Sequence, residues 1–115
     1  MTIRIFHNPR CSKSRATLAA LQERDIEPEI TLYLENPPDA GELRSILKKL
    51  GLTARQLMRQ GEAEYREQGL ADEALTEAEL IAAMVANPRL IERPIVLANG
   101  RAAIGRPLEA VIEIL

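Results

Sequence analysis

The chain has 115 residues, with 15 lysines and arginines against 17 aspartates and glutamates, one cysteine, one histidine and no tryptophan. That length supports one domain with a real core. The slightly negative balance excludes a broad basic face for nucleic acid, and a lone cysteine excludes an internal disulfide. No apolar run approaches the ~20 residues of a membrane span, so no membrane association is expected. With no signal-peptide core at the N-terminus, a reducing cytoplasm is the simplest location.

Taken in chain order, Ile3, Ile5 and Phe6 read as a short strand, and Leu18 and Leu21 as the buried face of a following helix. Ile26-Glu27-Pro28 breaks that pattern. Glu29 to Leu34 alternates as a second strand, with Ile30, Leu32 and Leu34 on one face. Asp39 and Glu42 have capping-box spacing ahead of Leu43, Ile46, Leu47 and Leu50, and Gly51 stops the helix. Thr53 with Gln56, and Thr76 with Glu79, repeat that spacing at two further helix starts. Glu62 to Gln68 reads as another helical turn or two, mostly solvated. Ile95 to Ala98, Asn99-Gly100 and Arg101 to Ile104 make a hairpin. A last helix carries Leu108, Val111, Ile112 and Leu115 at helical spacing.

This order predicts an α/β, thioredoxin-like fold. Four strands form a mixed sheet flanked by helices, with a helical insertion over roughly 39–88 between the second and third strands. The whole of 1–115 reads as one such domain. Arg93-Pro94 stands just before the third strand, and its peptide is either cis or an ordinary trans opening.

The chemistry points to His7-Asn8-Pro9-Arg10-Cys11-Ser12-Lys13-Ser14-Arg15. Cys11 sits in a strand-to-helix turn, where free backbone N–H groups and the helix dipole favour an anion. Arg10, Lys13 and Arg15 lie close in sequence and favour the thiolate, which is the nucleophile. The polar run around Cys11 suits an exposed turn. His7 either tunes the thiol or bonds a nearby carbonyl.

Across these residues the chain closely resembles the ArsC family of glutaredoxin-coupled arsenate reductases. The likeness rests on His7-Asn8-Pro9 with Cys11, Ser14-Arg15, Tyr33 to Pro38, Leu57-Met58-Arg59, Glu92 to Val96, Arg106-Pro107 and Glu113-Ile114-Leu115. The resemblance implies that Cys11 attacks arsenate, that His7 and Ser14 assist the thiolate, and that Arg59, Arg93 and Arg106 bind the oxyanion. It implies glutathione as co-substrate, glutaredoxin as partner, and a role in arsenic detoxification. A monomer with no tightly bound cofactor and no metal is expected. Two features depart from the plasmid-type pattern. Arg10 replaces a small residue, and Ser12-Lys13 replaces a Gly-Thr pair.

Rival chemistries fit less well. A low-molecular-weight phosphatase needs an arginine six residues beyond its cysteine, and position 17 is Thr. A dithiol oxidoreductase needs a second cysteine where Ser14 stands. The remaining alternatives are an Spx-like module that binds RNA polymerase, and a monothiol glutathione-dependent reductase of another substrate. Many Spx-type switches carry a CxxC pair, which this chain lacks.

Overall fold

Four strands lie side by side in the order β2, β1, β3, β4, where β1 is Arg4–Phe6, β2 is Glu29–Thr31, β3 is Ile95–Ala98 and β4 is Arg101–Ile104. The structure is a computed structural model that describes residues 3–115; positions 1 and 2 of the expected domain lie outside the described residues. The chain divides into two compact units, Met1–Asn36 with Arg93–Leu115, and Pro37–Glu92.

In the first unit, β1 pairs in parallel with β2 through the crossover helix α1 (Ser12–Glu23) and antiparallel with β3. The β3–β4 hairpin turns on Asn99 and Gly100, whose φ values of 55° and 74° are those of a two-residue primed turn. Ile5, Leu21, Val96, Ala103 and Val111 form the core, joining three strands to α1 and α6 (Leu108–Ile112). Each of the larger of these side chains contributes about 1.5–3 kcal/mol by leaving water. The fold is thioredoxin-like, as the strand and helix order predicts.

Three details differ from the sequence reading. β2 stops at Thr31 because the Leu32 carbonyl accepts from the Glu35 and Asn36 N–H groups and turns the chain. Tyr33 then takes the buried place, while Ile30 and Leu34 stay exposed. On α1 the buried stripe is Ser14, Thr17 and Leu21, with Leu18 only half-buried. Hydrogen bonding makes that polar stripe tolerable, since the Thr17 hydroxyl donates to the Lys13 carbonyl at 3.0 Å. Finally, α6 ends at Ile112, and the Ile114 and Leu115 carbonyls accept from Asn99 Nδ2.

The second unit is helical: α2 (Ala40–Leu50), α3 (Ala54–Leu57), α4 (Ala63–Glu67), α5 (Glu77–Ala86) and a 3-10 turn at Pro88–Leu90. Asp39 caps α2 through the Glu42 N–H, and Gly51 ends it at φ +70°. Both expected Thr boxes close fully, Thr53 with Gln56 and Thr76 with Glu79. Leu43, Ile46, Leu47, Leu80, Ile81 and Met84 are buried. An antiparallel bridge between Met58 and Ile91 aligns the backbone around Arg59. Among the described residues no helix is long and apolar enough to cross a membrane.

One close approach ties this architecture to the site. A Cβ placed on Gly105 would lie 2.5 Å from Thr17 Oγ1 and 2.8 Å from Pro94 Cγ. Gly105→Ala is therefore expected to cost about 1–3 kcal/mol through overpacking. Urea unfolding checks this; an unchanged midpoint would show that the contact relaxes freely.

Candidate active site

The site starts where β1 ends. Cys11 is the N-cap of α1, with extended backbone at φ −96° and ψ 123°. Asn8 shapes the approach to it. Its carbonyl accepts the Cys11 N–H at 3.0 Å, and its side-chain Oδ1 accepts the Arg10 N–H at 3.0 Å. Arg15 Nη1 then donates to the Pro9 carbonyl at 3.0 Å, closing the loop from its far side.

Ser14 anchors the loop from beneath. Its fully buried hydroxyl accepts the Asn8 N–H at 3.0 Å and shares a 2.6 Å hydrogen bond with His7 Nδ1. Of the two roles open to His7, bonding a carbonyl is therefore not the one its Nδ1 takes. Burial, and then the charge of Arg15, hold the His7 pKa below its ordinary 6.5, so the imidazole is neutral near pH 7.

Two arginines from distant positions reach the sulfur. Arg106 Nη2 donates to Cys11 Sγ at 3.4 Å, while Arg106 Nε donates to the Arg93 carbonyl at 2.7 Å. Burial pushes the Cys11 thiol pKa up. The Ser14 and Lys13 backbone N–H groups, then the charge and hydrogen bond of the Arg93 guanidinium, outweigh that effect and leave it below the ordinary cysteine value. The positive end of the helix acts in the same direction as these N–H groups. The peptides before Pro94 and Pro107 are both cis.

Two expectations need correction. The turn is exposed as expected at Pro9, Arg10, Ser12 and Lys13, but Cys11 itself is buried at 8% exposure, because Arg106 and the tied loop cover it. The side-chain charges on the thiol come from Arg93 and Arg106, because Arg15 is spent on the Pro9 carbonyl and Lys13 acts through its backbone N–H.

Of the six site residues read from the sequence, Cys11, His7, Ser14, Arg93 and Arg106 belong to one unit. Contacts join His7 to Ser14, and both Arg93 and Arg106 to Cys11. Arg59 belongs to the other unit, where it pairs with Glu62 and, at 3.7 Å, with Glu92. Sequence reasoning did not single out Asn8, Thr17 and Gly105 as site residues. Asn8 had a usable signal in its Asn-Pro turn chemistry; Thr17 and Gly105 matter only through packing across the fold. Among the described residues no cluster of three or more His, Cys, Asp or Glu side chains is placed to hold a metal ion.

A single cysteine of lowered pKa, at the first strand-to-helix turn of a thioredoxin-like sheet, defines a class of one-thiol proteins on this fold. The chain belongs to the ArsC family, whose model matches residues 6–114. It is 60% identical over 114 residues to uncharacterized protein YfgD of Escherichia coli K12, covering 98% of this chain and 96% of that one. It is 54% identical to an arsenate reductase of Neisseria meningitidis serogroup A, covering 98% and 97%. The solved arsenate reductase of Vibrio cholerae superposes with a TM-score of 0.96 at 49% identity, covering 100% and 98%.

Two predictions follow from these electrostatics. The Cys11 alkylation rate should reach half-maximum below pH 8.5, about the free-cysteine value, and Arg93→Gln should move that midpoint upward. A midpoint at or above pH 8.5 in the native protein would refute the assignment. His7 titrates at lower pH folded than unfolded. Its contribution to stability is therefore complete above about pH 6.5 and declines as pH falls towards the folded pKa, because the unfolded chain binds the proton first. Urea unfolding from pH 7.5 to 5.5 should show this decline, and His7→Gln should flatten it.

Proposed function

We propose that this protein reduces arsenate to arsenite with Cys11 as nucleophile, glutathione as second thiol and glutaredoxin as the recycling partner. The observation that carries the reading is the Cys11 sulfur held against Arg106, with Arg93 lowering its pKa, in a chain with no second sulfhydryl. The names of the similar arsenate reductases support the substrate.

Two anions repel each other, so a thiolate and an arsenate meet only where fixed positive charge surrounds both. Guanidinium groups suit this task because their paired donors match tetrahedral oxyanions. In the first step the Cys11 thiol and arsenic acid form an S–As bond and release one water. In the second, the glutathione thiolate attacks the Cys11 sulfur, and the S–As electron pair leaves with arsenic. The products are arsenous acid and a Cys11–glutathione disulfide. Two thiols are oxidised and As(V) gains two electrons. The proton of the attacking thiol goes to the arsenite oxygen. A glutaredoxin thiolate then attacks the glutathione sulfur and frees the Cys11 thiolate.

Ser14 and His7 hold the loop that carries the thiol. Neutral His7 adds no positive charge, so in this reading it orients Ser14 and the loop, while the helix-start N–H groups and the arginines supply the field. Arg59 enters through the resemblance. Its partners Glu62 and Glu92 are carboxylates that an oxyanion must compete with for the same guanidinium.

Arsenate reduction with glutathione and glutaredoxin tests the reading. Cys11→Ser should abolish turnover. Arg93→Ala, Arg106→Ala and Arg59→Ala should each lower kcat/KM about a hundredfold, with lysine rescuing only in part. With glutaredoxin omitted, mass spectrometry should find one glutathione on Cys11. Arsenite release without any added thiol, or full activity in Cys11→Ser, would overturn the mechanism.

A further inference from the structure

A cleft of about 540 Å³ lies between α1 and the segment leading into α6. Its wall includes Lys13, Ala16 and Thr17 on one side and Arg106, Leu108 and Glu109 on the other. Arg106 is shared with the thiol site, since its Nη2 is the group 3.4 Å from Cys11 Sγ. Arg106 therefore links the wall of the cleft to the reacting sulfur. Lys13 and Glu109 are both exposed, and their side chains form no ion pair or hydrogen bond with each other. Opposite charges thus line one cleft without neutralising each other.

That arrangement complements a particular chemistry. A zwitterionic amino-acid end presents an ammonium and a carboxylate on one carbon. Glu109 and Lys13 offer the opposite charge to each, and Ala16 and Leu108 line the space with apolar atoms. Glutathione carries such an end, with its thiol one residue away. A second cleft, beside Pro9, Arg10, Leu32, Leu34 and Glu35, is smaller at about 220 Å³ and contains neither guanidinium that acts on the sulfur.

We propose that the cleft between α1 and Gly105–Glu109 is the subsite of the thiol co-substrate, seating the γ-glutamyl end of glutathione on Lys13 and Glu109 and delivering its thiol to Cys11 past Arg106. The proposal rests on the reading of glutathione as second thiol. In the adduct, the seated thiolate attacks the Cys11 sulfur. The S–S bond forms as the S–As bond breaks, and the electron pair leaves on arsenic as arsenite. The Lys13 and Glu109 side chains are positioning groups that do not touch the reacting atoms.

The test separates binding from chemistry. S-methylglutathione has no free thiol, so its titration into the native protein reports binding alone. Amide NMR shifts should saturate at Lys13, Ala16, Thr17, Leu108 and Glu109. Lys13→Glu and Glu109→Lys should each weaken that binding about five- to tenfold, as expected for an exposed charge pair turned repulsive. In turnover, Glu109→Lys should raise the glutathione KM by a similar factor while the rate with 2-mercaptoethanol, which has no zwitterionic end, stays the same. Shifts confined to His7, Asn8, Leu34 and Glu35, or no saturable shift, would overturn the subsite. So would an equal loss with both thiols. Arsenate reduction without cleft binding removes the subsite and keeps the reductase. Cleft binding without arsenate reduction does the reverse.

Discussion

The contact on which this site depends is the one between Arg106 and Cys11, 3.4 Å apart in space and 95 residues apart in sequence. A cysteine at a strand-to-helix turn is near a positive helix end in any such fold, and that field is worth about 0.3–1 kcal/mol at an exposed position and up to about 2 kcal/mol at a partly buried one. Guanidinium groups brought in from elsewhere add what the turn lacks. For Arg106 to arrive, β1 must lie beside β3, β3 must pair with β4, and the chain leaving β4 must pass close over α1. The last condition falls on Gly105, which leaves no room for a side chain between Thr17 and Pro94. The Arg106 Nε bond to the Arg93 carbonyl then fixes the guanidinium plane.

The loop that presents the sulfur is held by a different kind of force. Ser14 and His7 form a buried polar pair under the turn; half-buried Asn8 joins it through its N–H and satisfies two N–H groups of the loop as it bends. Such networks are costly when half satisfied and rigid when complete. With His7 neutral, the network is a clamp that adds no charge next to the thiol. Division of labour results: the buried hydrogen bonds set position, while the Ser14 and Lys13 backbone N–H groups and then the remote arginines set the field.

The helical unit carries its own electrostatic pattern. Glu62 pairs with both Arg59 and Arg89, and Glu64 also faces Arg89. Half-exposed ion pairs of this kind contribute little to stability. Their weight here is on Arg59, whose guanidinium is already engaged by carboxylates from two sides. An anion that takes Arg59 exchanges one partner for another, which makes the local carboxylates part of its affinity.

Much of this was written locally in the chain. Asp39, Thr53 and Thr76 announced their helices because a capping side chain bonds only three residues away. Asn99-Gly100 announced its hairpin because positive φ is a property of those two residues. Cys11 was legible as the candidate nucleophile from the turn around it. The tertiary structure alone decided that Arg93 and Arg106 carry the charge at the thiol, that Arg15 serves the Pro9 carbonyl, and that Thr17 rather than Leu18 is fully buried. It also ended β2 at Thr31, where Leu34 had the right alternation for a strand but Tyr33 had a buried place to fill. The reason is one of range: caps and turns are closed by residues three or four apart, whereas the field at a sulfur and the burial of a side chain depend on which distant segments the sheet brings alongside.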